Sequence, residues 1–452
     1  MDDQFADGDK VRLLNIRTFA LLWVLMLVNS QAFATETMTL AQCLETGLKN
    51  NPAFKASRFN AKAAGEDIKT ARADFLPSLS SGYSINNISS IASRGPADSD
   101  YLDQDIGSFN IRLSQILFAG SRIVNTYQKA KFSEEMAQAQ ADLKALELVY
   151  HIETGFYGLM KARQDVMIAT EAVNRLTESV KSAEAFFEKE LVPEVDLLQT
   201  RVDLADAKVQ LGIAKNNVHR ERIALLSLMD LQAEADVEFA EESQNEVLPP
   251  LSFDEAYKAA VKNRPDIRVL NFQLEIAKKE AAIALGKYLP VVRADISYQD
   301  QDRDYDAPGS STFGNSYDRD QRNRYWSAGI YATWDIFDGG RSWYEKRKHN
   351  TDEQKILALV EDAENTISTG IKKALYSLSE ARERMAGSAK AVSAAKAYYA
   401  GEEHRLKAGI STIPALLDAQ VRLVRAMGNQ TRAVLDYQTA ASELKLMTGG
   451  KP

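Results

Sequence analysis

The 452-residue sequence has a single cysteine, Cys43, so no internal disulfide can form. Its four histidines, His151, His219, His349 and His404, are dispersed, and none stands with cysteine or carboxylate at metal-ligand spacing. No glycine loop of phosphate-cradling type follows a strand; Gly449-Gly450-Lys451 merely ends the chain. The enzyme reading therefore has no catalytic set to rest on, and no cofactor or metal is expected. With 55 basic and 63 acidic side chains the net charge is -8, which leaves no electrostatic footprint for nucleic acid. Long apolar runs are also missing. The run Phe19 to Val28 is well short of the ~20 residues a spanning helix needs. Lys10, Arg12 and Arg17 precede it and Ala32-Phe33-Ala34 follows, so residues 1–34 read as a signal peptide with the mature chain starting at Thr35. Leu40-Ala41-Gln42-Cys43 faintly resembles a lipoprotein box, but Gln42 is the wrong residue before the cysteine, and lipidation is not expected. A membrane crossing by this chain must use a closed β-barrel, the other structure that satisfies its backbone internally.

What the sequence does contain is a tandem repeat, 35–248 followed by 249–452, with Pro249-Pro250 at the boundary. Thr39 to Pro52 matches Ser252 to Pro265 at an offset of 213. Leu40, Leu44 and Leu48 fall on Phe253, Tyr257 and Val261, a helical stripe, and each short helix stops before a proline. A second helix follows in each copy, Ala53 to Phe75 and Asp266 to Tyr288, ending at Leu76-Pro77 and Leu289-Pro290.

Alternating strands come next, in β-hairpins at about 78–118 and about 291–337. Trp326, Ala328, Ile330, Ala332, Trp334 and Ile336 point one way, and Tyr325, Ser327, Gly329, Tyr331, Thr333 and Asp335 the other. The earlier returning strand puts Phe109, Ile111, Leu113 and Leu117 on one face and Asn110, Arg112, Ser114 and Ile116 on the other. Such strands resemble those of a membrane barrel; the competing reading is a soluble sheet packed on one face. Polar loops are expected at Ser89 to Asp105 and Asp300 to Asn323. Each returning strand runs through Phe-x-Gly, where Gly120, Gly339 and Gly340 read as strand-to-helix turns.

A long helical hairpin closes each copy, at about 122–230 and 341–448. Arg122 to Glu188 contains no proline, and a helix of that length would reach about 100 Å. Val166, Ala169, Val173, Leu176, Val180, Ala183 and Phe187 recur at spacings of three and four, a coiled-coil seam. Leu197, Leu204, Leu211, Val218 and Leu225 recur every seven residues on the return helix. Leu416, Leu423, Tyr437 and Leu444 hold the same register in the second copy, with Ala419, Ala426, Ala433 and Ala440 between them.

The order of these motifs resembles the TolC family of outer-membrane efflux and secretion channels, over essentially the whole mature chain. The resemblance rests on Leu40 to Pro52, the two Leu-Pro steps, the two Phe-x-Gly junctions and the tip pattern Ala408 to Ala426. The first tip departs from that pattern: Glu190 stands where Gly409 stands, and Gln199 where Asp418 stands.

The resemblance implies a mainly α chain with a membrane β-barrel part, a homotrimeric channel-tunnel in the outer membrane that reaches into the periplasm. A periplasmic adaptor and an inner-membrane transporter would dock on it, for efflux or type I secretion. Four strands per chain cannot close a barrel alone, since the smallest have ~8; strand count leaves two or three copies open, and the family has three. Trp326, Ile330, Trp334, Phe109, Ile111 and Leu113 would face outer-membrane lipid. Leu191, Val192, Pro193, Gly409, Ile410, Ser411 and Thr412 would form the tips that meet the adaptor. Asp418 would be the periplasmic gate residue, with Glu194 and Asp196 as additions from the first tip. Ala415 and Ser411 stand where some members carry a further acid and its basic partner. The bland alternative for Asp418 is a solvated acid at a helix start. For the whole chain, the alternative is a soluble periplasmic coiled-coil structural or adaptor protein.

Overall fold

The computed structural model describes residues 36–95, 98–240, 249, 251–306, 320–411 and 413–450. The expected signal segment, Thr35 and Thr412 lie outside the described residues. The first repeat runs β1 (Glu36–Met38), α1 (Leu40–Asn50), α2 (Pro52–Ala73), β2 (Ser78–Gly95), β3 (Asp98–Phe118), α3 (Arg122–Phe187), α4 (Glu194–Leu228) and β4 (Val237–Phe239). The second runs α5 (Phe253–Asn263), α6 (Pro265–Gly286), β5 (Val291–Asp306), β6 (Asp320–Thr333), α7 (Arg341–Lys407) and α8 (Ile413–Thr448).

Matching local chemistry builds matching elements. Thr39 and Ser252 cap α1 and α5 with a capping box, each hydroxyl accepting from the backbone N–H three residues on. Asn51 ends α1, and its side chain donates to the Leu228 carbonyl at 2.9 Å. Its counterpart Arg264 ends α5 and donates to the Met447 carbonyl at 3.2 Å. In both repeats the residue before proline thus satisfies an orphan carbonyl at the end of the return helix.

The left-handed backbone positions also come in register. Gly120, Ser121, Glu190 and Asp230 have positive φ in the first repeat; Gly339, Gly340, Gly409 and Gly449, each 219 residues later, have it in the second. The second repeat meets this need with glycine four times, the first only once. Glu190 and Gly409 end the outgoing helices in the same way. Leu191 N–H donates to the Phe186 carbonyl at 2.9 Å, and Ile410 N–H to the Arg405 carbonyl at 3.0 Å.

By contact the chain divides into two compact units that do not follow the repeats. Over its described residues, one takes the chain up to Asn51, Val149–Leu248 and Ala381–Thr439. Its centre holds Ile152, Phe156, Leu159, Leu225, Leu226 and Met229, all fully buried. Phe239 of β4 meets Phe156 edge-on at 6.4 Å, and its carbonyl accepts from Arg163 at 2.7 Å. β1 pairs parallel with β4, Thr37 opposite Glu238, a ladder that three-residue strands cannot announce in the sequence. Cys43 is buried in α1.

The other unit takes Pro52–Leu148, Pro249–Glu380 and the chain from Ala440. Ala256, Ala260, Ile267, Ile367 and Ile371 form its helical core, with Phe253, Tyr257 and Met447 packed against them. It also carries one four-stranded antiparallel sheet in the order β2-β3-β5-β6.

Two strand boundaries differ from expectation. The segments read as polar loops are strand over their described residues, residues 96–97 and 307–319 lying outside them: β2 and β3 pair as far as Gly95 and Asp98, and β5 and β6 as far as Asp304 and Asp320. Ladder hydrogen bonds are made by the backbone, so serine and aspartate prolong them where no apolar pattern shows. At the other end β6 stops at Thr333 rather than Ile336. Its partner begins at Val291, after Pro290, which has no N–H to offer. Trp334 and Ile336 are therefore not strand residues; the Trp334 indole donates instead to the Tyr288 carbonyl at 3.0 Å. Asp338 then caps the following helix, accepting from Gly340 N–H at 3.0 Å and Ser342 N–H at 2.8 Å. Those bonds hold its carboxyl below the usual range, the Ser342 side chain contributing most.

Candidate membrane ladder and tunnel tips

The sheet register sorts the expected apolar residues within a strand onto one side except Leu117, which falls at the register shift between Ile116 and Phe118 and has no ladder partner among the described residues. Leu79, Leu113, Ile296 and Ala328 stand in one row across the four strands, and Ser81, Ile111, Tyr298 and Trp326 in the next. Ala294 is opposite Ile330, and Tyr83 opposite Phe109, on the same face. The other face alternates with it and is polar: Ser80, Arg112, Ser297 and Ser327 form one of its rows, and Gly82, Asn110, Gln299 and Tyr325 the next.

The apolar face is open to solvent in the single chain. Leu79, Trp326 and Ile330 are 72%, 74% and 72% exposed, and a contiguous apolar patch of this kind marks a surface that is covered by lipid or by another protein. From Val292 to Tyr298 it spans ~20 Å of strand, close to the ~25 Å apolar band of outer-membrane barrels. An aromatic pair, Tyr298 and Trp326 with rings 5.0 Å apart, borders it. Charge begins in the next row, where Asp300 meets Arg322 at 2.8 Å and Arg324 at 3.2 Å.

The polar face is internally bonded. Ser114 donates to Asp295 at 2.6 Å, Arg293 approaches the same carboxylate at 3.1 Å, and the Ser297 and Ser327 hydroxyls are 2.8 Å apart. Both outer strands of the sheet, β2 and β6, have a partner on one side only among the described residues.

At the first tip, Leu191 is exposed, Val192 half-buried, and Pro193 precedes α4 in an extended conformation. Glu194 and Asp196 lie in the first turn of α4, where the helix dipole favours acids. At the second tip, Gly409 turns the chain and Ile410 is exposed, but Ser411 is bound. Its hydroxyl donates to Glu402 at 2.6 Å, and Arg405 reaches the same carboxylate at 2.9 Å. The Glu402 side chain is only 7% exposed. Sequence reasoning passed over Glu402; the one signal was an acid at 402 where the first repeat has Ala183.

Asp418 lies beyond the first turn of α8, so the helix-start reading does not describe it. Arg422 pairs with it one turn on, at 2.7 Å, and both remain substantially exposed. Among the described residues no ion pair or hydrogen bond joins Asp418 to Glu194 or Asp196.

Paired strands with one open apolar face, together with helices of 66 and 67 residues, are the parts of an outer-membrane channel-tunnel. The sequence matches the model of the family "Outer membrane efflux protein" over residues 44–230 and 256–450, and the chain belongs to that family. It is 23% identical over 439 residues to the alkaline protease secretion protein AprF of Pseudomonas aeruginosa, covering 94% of this chain and 86% of AprF. It is 22% identical over 424 residues to the outer membrane efflux protein BepC of Brucella suis, covering 93% and 87%. The solved CmeC outer membrane channel of Campylobacter jejuni shares the fold, with a TM-score of 0.73 at 17% identity over 91% of this chain and 85% of that one. The chain is thus an outer-membrane channel of the kind that serves efflux pumps and type I secretion, and the soluble adaptor reading falls.

Proposed function

We propose that three copies of this chain close one twelve-stranded barrel and one helical tunnel, a passive exit duct with no catalytic step of its own. The four-stranded sheet with two one-sided edges carries this reading. A bilayer tolerates no open edge, and four strands are too few to curl shut, so the missing partners must come from other copies. Trp326, Ile330, Phe109, Ile111 and Leu113 then face lipid, with Trp334 just beyond the strand end. The tips at Leu191–Pro193 and 409–412 meet a periplasmic adaptor, and an inner-membrane transporter drives transport through the duct. A ring of Asp418 residues, with Glu194 and Asp196 from the first tip, concentrates cations at the periplasmic mouth.

One full-length relative is named for protease secretion and another for efflux, so the same duct fits both cargo classes; the transporter that co-purifies with it assigns the cargo. The test is fractionation followed by sizing in detergent. The reading expects outer-membrane sedimentation and a trimer mass. Full recovery in the osmotic-shock fluid, or a stable detergent-solubilised monomer, overturns it.

A further inference from the structure

On the polar face of the sheet, one row stands apart. Ser80, Arg112, Ser297 and Ser327 align across the four strands, so a single long cation rises from a row of hydroxyls. The neighbouring charges are committed. Asp295 is only 10% exposed in its side chain and is held by Arg293 at 3.1 Å and Ser114 at 2.6 Å. Arg293 also lies over the Tyr331 ring, 5.7 Å from its centre. Arg112 is exposed, and among the described residues no carboxylate comes within ion-pair distance of it. The flanking row of Gly82, Asn110, Gln299 and Tyr325 adds no charge, and the Tyr325 hydroxyl is spent on Gln299 at 2.5 Å.

We propose that Arg112, repeated by threefold symmetry, forms an oxyanion-binding collar inside the strand barrel; this rests on the trimeric duct proposed above. Twelve strands ~4.8 Å apart and tilted ~40° close at a backbone radius of ~12 Å. A long arginine side chain spans about half of that, which brings three guanidinium groups within roughly a Debye length of the axis. Their short serine neighbours leave the forks unobstructed, and a guanidinium fork matches the planar oxygens of a carboxylate or phosphate. The barrel thus favours anionic groups at the same time as the acidic periplasmic mouth favours cations. A solute crossing the duct meets two filters of opposite sign.

The test uses the full chain in planar bilayers in potassium chloride, with citrate added to both chambers as the probe oxyanion. Citrate block should weaken by about tenfold or more in Arg112→Ser and persist in Arg112→Lys. In a potassium chloride gradient, Arg112→Ser should also shift the reversal potential toward potassium. Arg112→Gln, which keeps length and polarity without charge, is measured beside it and reads out the same loss if the serine variant fails to assemble. Wild-type channels that conduct but show no citrate block, or equal block in wild type and uncharged variants, overturn the collar and leave the trimer standing. Absence of any channel from the wild type sinks the trimer reading, and the collar with it.

Discussion

Asp418 and Gln199 occupy the same place in the two hairpin tips and hold opposite ends of the same kind of bond. Asp418 accepts from Arg422 at 2.7 Å, one turn later, whereas Gln199 donates to Asp203 at 3.1 Å, also one turn later. Each tip keeps one carboxylate on that face, shifted by a turn, and among the described residues the second tip pairs it with a cation and the first with an amide.

The pairing sets the sign of a prediction for the gate. Asp418→Asn should lower cation selectivity in single-channel recordings. Arg422→Ala, which unmasks the carboxylate, should raise it. An exposed pair of this kind is worth ~0.2–1 kcal/mol, so neither change should cost the fold. An unchanged reversal potential in both variants would remove Asp418 from the gate.

The register of the sheet predicts a contrast between two arginine substitutions. Ile330→Arg puts a charge in the apolar face and should cost ~2–4 kcal/mol near the bilayer midplane, lowering the yield of assembled protein. Thr333→Arg is on the polar face and should assemble normally but alter conductance. Equal assembly yields for the two, measured in outer-membrane fractions, would show that the faces are assigned the wrong way.

Glu190 adopts a φ of 59° where Gly409 adopts 74°. A side chain in the left-handed region costs ~1–2 kcal/mol, partly offset by the extra freedom glycine has when unfolded. Glu190→Gly should therefore slow proteolysis at the first tip, and Gly409→Ala should speed it at the second. Both tips should be cut before the helical cores in limited proteolysis. A Glu190→Gly variant cut faster than wild type would contradict the strain.

The two capping boxes should separate in acid. The Glu255 carboxylate accepts from the Ser252 hydroxyl at 2.7 Å and from its backbone N–H at 3.0 Å, and the hydroxyl bond chiefly holds that carboxyl below the ordinary value of 4.5. A depressed carboxyl stabilises fully above its unfolded pKa, and that contribution is lost as pH falls through the folded one. Gln42 fills the same role at α1 and does not titrate. Hydrogen exchange should show the amides at the start of α5 losing protection below pH 4.5, while those of α1 keep theirs. Glu255→Gln should abolish the difference.

The features legible in the sequence were those that repeat. The offsets of 213 and 219 located helices, strands and turns in both copies, and period-two alternation grouped Ile111 with Leu113 and Trp326 with Ile330 within their strands; the ladder register then puts both groups on one face. Strand ends were not legible, because the pairing of Ser89 with Asp103 follows no apolar pattern and Trp334 has the right alternation but no ladder partner. Ser121, Glu190 and Asp230 gave no sign of a left-handed backbone by themselves; glycine at 340, 409 and 449 was the available signal. At the tips, Asp418 stood out by motif, while its partner Arg422 and the buried Glu402 depended on side-chain directions that spacing does not carry.

The open sheet has a kinetic corollary. A single chain in transit shows bare ladder edges on β2 and β6 together with a wet apolar face, the surface that invites wrong partners. In the trimer we propose, rescue from that state requires three chains to meet, so its rate falls steeply with dilution while degradation of the lone chain does not. Steady-state abundance should then respond to expression as a threshold: weakly expressed protein is lost, and beyond a critical supply nearly all of it survives. The same asymmetry would make subunits poisonous to one another, because one chain with a spoiled β6 edge wastes the two sound copies it recruits.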